Sequence, residues 1–397
     1  MTEQQTAVTC WTECLFTDRR RRNSERSLLI GILRGEGIGG EVLEGALEVL
    51  NAVTEASGLV LKTCEGGCIG REAERSLGTA LAESVVEFCK DVFARGGAVV
   101  HGPGGGRFVY DLRKRLELFL KISPLHSGYG ALDASSLKPN VLRDVDIIIT
   151  RENLGGVYQG AWEPIRGEPG RRVAAHTFSY AESQVSKFLN ASARLAKQRR
   201  ADLTVVWKEA GIPSISELWR ERAKQVAAEH KLKFRMVDID LIAYQVIREP
   251  QKFDVIAAPN LFGDVLADLG AALLGSRGIA FSGNYSEAGH AVYQTNHGAA
   301  YDLAGTDRAN PGGQILALAM MLRESFGLEI QASAIETAIR SVWNQGWRTE
   351  DIAVPGSRIV GTRQMSSLIA EQAAAILESK HSPARACISH ESTAYPR

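Results

Sequence analysis

Cysteine, surplus charge of one sign and long apolar runs are what this chain of 397 residues has little of. Its 46 Lys and Arg balance 46 Asp and Glu, so it carries no electrostatic footprint for nucleic acid or an anionic membrane. No apolar stretch approaches the roughly 18–20 residues needed to span a bilayer. The six cysteines are Cys10, Cys14, Cys64, Cys68, Cys89 and Cys387. Two pairs have C-x-x-x-C spacing, yet no nearby histidine or further cysteine completes a tetrahedral zinc site. Reduced, mostly structural thiols and a cytoplasmic location are expected. The stretch to about Arg22 lacks the apolar core of a secretory signal, and Glu3, Glu13 and Asp18 argue against a transit peptide.

What is present is 45% hydrophobic and 23% charged, the balance of a globular protein of two domains or one large discontinuous one. Apolar runs at 27–33, 98–101, 146–150, 203–207 and 253–258 read as buried strands. Helical periodicity marks 41–56, 76–95, 180–198, 215–230, 241–248 and 264–274. Alternation of the two predicts an α/β protein with a largely parallel sheet. Trp162–Ala175, rich in Gly, Pro and Arg, reads as a loop or small antiparallel arm. Residues 1–26 and 379–397 are expected to be poorly ordered extensions. Within the first, the Arg19–Arg22 run reads as a solvated tail rather than a contact for an acidic partner. No internal repeat is visible.

The chemistry concentrates in Asn260-Leu261-Phe262-Gly263-Asp264-Val265-Leu266-Ala267-Asp268. Aspartates at i and i+4 share one helix face, and two such carboxylates suit a hard cation such as Mg²⁺ or Mn²⁺. The alternative is an aspartate that begins a helix and a second that is merely solvated. His297-Gly298-Ala299-Ala300-Tyr301-Asp302 follows as a loop able to wrap a nucleotide. Gly35-Glu36-Gly37-Ile38-Gly39-Gly40 fits the dinucleotide fingerprint G-x-G-x-x-G, with Glu55 about twenty residues on. Glu55, however, falls in the helical pattern, where it cannot meet a ribose at a strand end. An ordinary Rossmann dehydrogenase built on Gly35–Gly40 is therefore the lesser alternative.

An ordered series of residues resembles the β-decarboxylating dehydrogenases, the isocitrate/isopropylmalate dehydrogenase family. It comprises Gly35–Glu41, Leu112-Arg113-Lys114, Arg151-Glu152-Asn153 with Tyr158, Lys208, Asp240, Asn260–Asp268, His297–Gly305 and Ala309-Asn310-Pro311, and covers about residues 28–375. The resemblance implies that family's two-domain α/β fold with a parallel-rich sheet, not an ordinary Rossmann fold. Residues 27–118 with 276–378 would form a discontinuous cofactor-binding domain. Residues 119–275 would form a substrate and dimerisation domain, with an arm near 159–178. It further implies oxidative decarboxylation of a 2-hydroxy acid by a homodimer, or a higher oligomer built from dimers, with a shared active site. Asp264 and Asp268, with Asp240 from a partner subunit, would hold Mg²⁺ or Mn²⁺. Arg113 and Arg151 would grip substrate carboxylates. Lys208, also from the partner, would be the base, its pKa lowered by burial beside arginines and a cation. Tyr158 would deliver a proton to the enolate. His297, Gly298, Asp302 and Asn310 would bind the cofactor. Asp302 can accept from ribose hydroxyls and would repel a 2′-phosphate, so NAD is expected over NADP. Outside that frame, Arg113 could be a solvated helix residue, Tyr158 a core aromatic and Lys208 a surface lysine.

The chain departs from the family pattern in three places. Ile122-Ser123-Pro124 stands where an L-R-P triplet is usual, so Ser123 occupies the position of a recognition arginine; Lys121 or His126 could compensate. Lys208-Glu209-Ala210 lacks the usual asparagine. His297–Tyr301 replaces H-G-S-A-P. The specificity segment before Arg113 carries Arg107, Val109 and Tyr110, which argues against plain isocitrate and matches isopropylmalate enzymes only in part. The expected substrate is a malate with an altered 3-substituent, from a specialised biosynthetic pathway. The contrasting expectation is a non-catalytic or regulatory relative that keeps the fold and the nucleotide loop.

Overall fold

A computed structural model describes residues 10–16 and 27–381. The strands of its main sheet are β1 (Ser27–Leu33), β2 (Val60–Glu65), β3 (Ala98–His101), β4 (Leu120–His126) and β5 (Asp146–Glu152). After a short arm made of β6 (Ala161–Trp162) and β7 (His176–Thr177) come β8 (Asp202–Trp207), β9 (Lys233–Asp238), β10 (Val255–Ala258), β11 (Phe281–Tyr285) and β12 (Ala291–Thr295). Ten of these form one sheet in the order β2-β1-β3-β12-β11-β4-β5-β10-β8-β9. Each wing is parallel, and three antiparallel pairings, β12–β11, β11–β4 and β4–β5, join them. The wings consequently run in opposite directions.

The helices are α1 (Thr12–Leu15), α2 (Gly39–Ala56), α3 (Gly70–Leu77), α4 (Glu83–Ala94), α5 (Phe108–Arg115), α6 (Pro139–Leu142) and α7 (Glu182–Gln198). They continue with α8 (Pro213–His230), α9 (Ile239–Arg248), α10 (Phe262–Gly270), α11 (Gly312–Phe326), α12 (Glu329–Asn344) and α13 (Thr362–His381). Helix α11 is the central one, buried on every side from Gly312 to Glu324. The helix expected over 76–95 is two helices: α3 ends at Gly78, whose φ of +75° only glycine adopts at no steric cost.

The seam between the wings lies at β11–β4, so residues 119–275 contribute β4, β5, β8, β9 and β10 to one continuous sheet. The arm is antiparallel, with Arg166 bridged to Val173, and Trp162, Ile165 and Val173 stand out from the surface.

Residues 10–16 do not behave as the expected loose extension. Trp11, Leu15 and Phe16 are buried in the core. The Glu324 carboxylate of α11 accepts from the backbone N–H groups of Trp11 (3.2 Å) and Thr12 (2.9 Å), and Arg194 of α7 donates to the Leu15 carbonyl (3.2 Å). Burial raises the Cys10 thiol to about 11 and Cys14 to about 12, which makes both unreactive. The five described cysteines are all free thiols. The rest of the two expected extensions lies outside the described residues, apart from the end of α13. Among the described residues no helix is long and apolar enough to cross a membrane.

Candidate active site

Strand parity builds the floor of the site. Lys121 pairs with Arg151 across β4–β5 and with Asn284 across β4–β11, so these three side chains share one face of the sheet. Ser123 shares it too, two residues further along β4. Gln294 stands opposite Ser282 on the neighbouring pair. There its Oε1 accepts from Arg113 Nη2 (3.4 Å) and Asn284 Nδ2 (3.2 Å), and lies 3.0 Å from His101 Nε2. This is a buried polar face in the middle of an otherwise apolar sheet.

Strands β5 and β10 are parallel neighbours, and ligands in such sheets bind outside the carboxyl ends of the strands. Arg151 lies at that end of β5. The chain leaving β10 passes Asn260 and turns into α10, which carries Asp264 and Asp268. Asn260 Oδ1 accepts from Arg151 Nε (3.2 Å) and Nη2 (2.9 Å), while Arg151 Nη1 ion-pairs with Asp264. Leu261, between them, has φ +82°, a conformation costing on the order of 1–3 kcal/mol in a side-chain-bearing residue and typical of ligand sites. The Tyr158 side chain sits near enough to Asp264 to favour its ionised form, and the Arg151 guanidinium lies 5.4 Å from the Tyr158 ring centre.

Charge is tightly coupled here. Burial opposes the ionised form of Asp264, but Arg151, Lys121 and Arg113 together hold its carboxyl below the usual range. Burial, with Asp264 nearby, raises Asp268 despite its 2.6 Å ion pair with Arg277. Burial first, then Arg151, pushes Arg113 down. Burial, with Arg113 and Arg151 adding to it, drives Lys121 well below the ordinary lysine value. Burial and Asp264 raise Tyr158 to about 12, so its phenol stays protonated.

At the rim, Arg107 donates to the Tyr158 carbonyl (3.2 Å) and lies 4.6 Å from the Trp162 ring centre and 5.5 Å from that of Tyr110. Tyr110 packs on Tyr158 at 4.9 Å, and half-buried Val109 sits against the core beneath. Ser123 Oγ accepts from Asn296 at 3.4 Å. His126 is an even-numbered residue of β4 and so projects from the opposite face to Lys121; its Nδ1 accepts from Gly128 N at 2.9 Å.

The loop at 297–302 and the glycine turn pack on each other. Ile38 N donates to the Ala299 carbonyl at 2.9 Å. Tyr301 Oη donates to Glu36 Oε2 (2.9 Å), which also accepts from Gly105 N (2.8 Å). Burial disfavours the Glu36 carboxylate, yet Gly105, Glu72, Arg71 and Tyr301 donate to it and keep it below its ordinary value. Burial holds the His297 imidazole down, and its Nδ1 lies 3.0 Å from the Gly298 carbonyl. Gly298 and Asp302 are exposed along it. Asn310 is occupied structurally: its Oδ1 accepts from Gly312 N (2.8 Å) at the start of α11, and its Nδ2 donates to Asp351 (3.1 Å).

Lys208 and Asp240, the two residues expected from a partner subunit, lie away from this chain's own cleft. Lys208 and Asp240 form an exposed ion pair of 2.6 Å at the junction of β8 and α9, with Asp238 at 3.4 Å. The bond to Asp240 raises the Lys208 pKa, the reverse of the lowering expected for a base. Among the described residues no cluster of three or more His, Cys, Asp or Glu is placed to hold a metal within one chain. Asp264 and Asp268 supply two hard oxygen donors, their close like charges the kind a cation relieves. Glu36 and Asn260 lie inside segments that the sequence marks, though no role attaches to them there; nothing in the spacing of Gln294 and His101 marks them.

A family model described as isocitrate/isopropylmalate dehydrogenase matches residues 29–369. A 3-isopropylmalate dehydrogenase from Geobacillus kaustophilus is 38% identical over 350 residues, covering 85% of this chain and 93% of its own length. One from Aquifex aeolicus is 35% identical, covering 86% and 96%. Among solved structures, an isocitrate dehydrogenase from Methylococcus capsulatus superposes with a TM-score of 0.77 at 28% identity, covering 87% of this chain and 99% of that one.

Proposed function

The chain belongs to the isocitrate/isopropylmalate dehydrogenase family, and from that premise we propose that it catalyses NAD- and divalent-metal-dependent oxidative decarboxylation of a 3-substituted malate. The observation that carries this reading is the Arg151–Asp264 ion pair, with the Arg151 guanidinium over the Tyr158 ring and Arg113 felt beside it. In this reading the guanidinium is the carboxylate fork, Asp264 a metal ligand and the phenol the proton donor.

In this mechanism Arg113 and Arg151 bind and orient the substrate carboxylates, the planar fork of guanidinium fixing their direction. Asp264 and Asp268, with Asp240 of a second copy, would hold Mg²⁺ or Mn²⁺, which when bound supplies Lewis acidity toward the substrate hydroxyl and the carbonyl it becomes. Lys208 of that second copy takes the hydroxyl proton; leaving Asp240 to the cation would remove the contact that raises its pKa. Nicotinamide, when bound, would supply the acceptor for the hydride of the hydroxyl-bearing carbon, after which a β-keto acid can lose CO₂. Tyr158, kept protonated beside Asp264, delivers a proton to the enolate carbon. The His297–Asp302 loop holds the adenosine half, and the exposed Asp302 carboxylate favours NAD. The exposed Lys208–Asp240 pair supports a homodimer, or a dimer-based oligomer, with shared sites; a cytoplasmic location belongs to the same reading.

NAD reduction over a panel of 3-substituted malates, with and without Mn²⁺, tests the activity. Mixing inactive Lys208→Met and Asp264→Asn chains tests the sharing: restored activity supports it, and continued silence removes it. A second reading, a relative that keeps the fold without catalysis, is favoured by Ser123, by Ala210 and by the paired state of Lys208. It requires that no malate reduce NAD.

A further inference from the structure

We propose that Lys121 is a substrate-contacting, specificity-determining residue, an ammonium that receives a carboxylate of the substrate between Arg113 and Arg151. This rests on the reading above and deepens it by naming what replaces the arginine absent at Ser123.

The argument is one of placement. Lys121 is only 3% exposed, and a lysine is almost never so buried unless paired. Yet among the described residues it makes no hydrogen bond or ion pair, and it is not one whose partners lie in the undescribed segments. Its neighbours deepen the problem. Arg151 is its direct cross-strand partner, and like charges so placed are destabilising. Arg113 is the next cation it feels; Asp264 and Asp268 are the anions. Asp264 is already engaged by Arg151 and Asp268 by Arg277. Three buried cations thus face a space whose two carboxylates are spoken for. A buried ammonium without a counterpart sheds its proton instead of keeping the charge, and the counterpart that suits this space and would hold the proton in place is an anionic ligand.

The alternatives on the same strand fail geometrically. His126 projects from the opposite face, and Ser123 carries no charge. Lysine also differs from arginine in kind: it offers a compact point charge on a flexible stem rather than a rigid fork. A site with an ammonium here constrains the direction of the bound carboxylate less, and admits a 3-substituent that shifts the acid within the cleft.

The test compares the full-length parent with Lys121→Met and Lys121→Arg, using malate and 3-substituted malates as probes with Mn²⁺ present. Affinity is read by calorimetry, and melting temperature is measured with and without probe. Lys121→Met is expected to weaken the probes that the parent binds by on the order of ten- to a hundredfold. NAD⁺ binding should stay unchanged, and the ligand-free melting temperature should hold or rise because a buried like charge has gone. Lys121→Arg should recover part of the affinity. Undiminished probe affinity in Lys121→Met, with or without a lower melting temperature, overturns the assignment and leaves the parent's function intact. A parent that binds none of the probes shows a different pattern: the functional reading fails first, and this assignment falls with it.

Discussion

Gly37 and Ala299 meet so closely that a Cβ built on Gly37 lies 2.0 Å from the Ala299 carbonyl oxygen, and Gly37 has φ +58°. The glycine turn after β1 is therefore shaped by contact with the 297–302 loop. Gly37→Ala is expected to cost on the order of 2–3 kcal/mol and to loosen that loop. Calorimetric melting and NAD⁺ titration check this; an unchanged melting temperature with unchanged NAD⁺ affinity would remove the proposed coupling.

Asp264→Asn separates the metal site from the ion pair. The parent should melt higher with Mn²⁺ added, and the variant should show no such shift. Because the Asp264 side chain is about a third exposed, losing its pair with buried Arg151 should cost only about 1–2 kcal/mol. A Mn²⁺-dependent shift that survives in the variant places the metal elsewhere.

His101 gives the protein an acid-sensitive core. It is fully buried, 2.8 Å from the Gly102 carbonyl through Nδ1, and burial lowers it to about 4. Its folded pKa lies below the unfolded value near 6.5, so the unfolded chain takes up the proton first. The stabilisation is present above about pH 6.5 and is lost as pH falls toward 4, amounting to about 3 kcal/mol. Chemical denaturation from pH 7 to pH 4 should show that slope in the parent and a shallower one in His101→Gln. Identical slopes would refute the assignment.

Leu15→Ala tests whether the segment 10–16 is held by its own packing. Leu15 is 3% exposed, and its truncation should cost about 2 kcal/mol or more. The segment should then undock and become a site of limited proteolysis. Equal protease resistance and equal melting would show that the Glu324 contacts suffice.

What could be read from the sequence follows from how far each signal depends on neighbours. Asp264 and Asp268 are legible because their spacing alone sets a shared helix face. Arg151 and Arg113 are legible from their local triplets. The strands β11 and β4 are not. Phe281–Tyr285 contains Gly283 and Asn284, types depleted in strands, and is a strand because it fills a gap between β12 and β4. Leu120–His126 contains Pro124, whose missing N–H is harmless because the β11 pairing covers only Leu120 to Ile122. Without β4 as a strand, parity could not separate Lys121 from His126. Asn310 carries two signals at once, since an asparagine just ahead of a helix is also a capping residue and its Oδ1 accepts from Gly312 N. Trp11, Leu15 and Phe16 are visibly apolar, but seven residues are too few to announce a partner.

That partner is remote along the chain. Thr12 and Glu324 are 312 positions apart, so during synthesis the N-terminal segment emerges long before its seat on α11 exists. Trp11, Leu15 and Phe16 must wait uncovered while most of the protein is made, and contacts of such long range close late. The same three side chains that seal the finished seam are an association hazard in the nascent chain. They make the release of the last third of the polypeptide the moment at which this fold becomes safe.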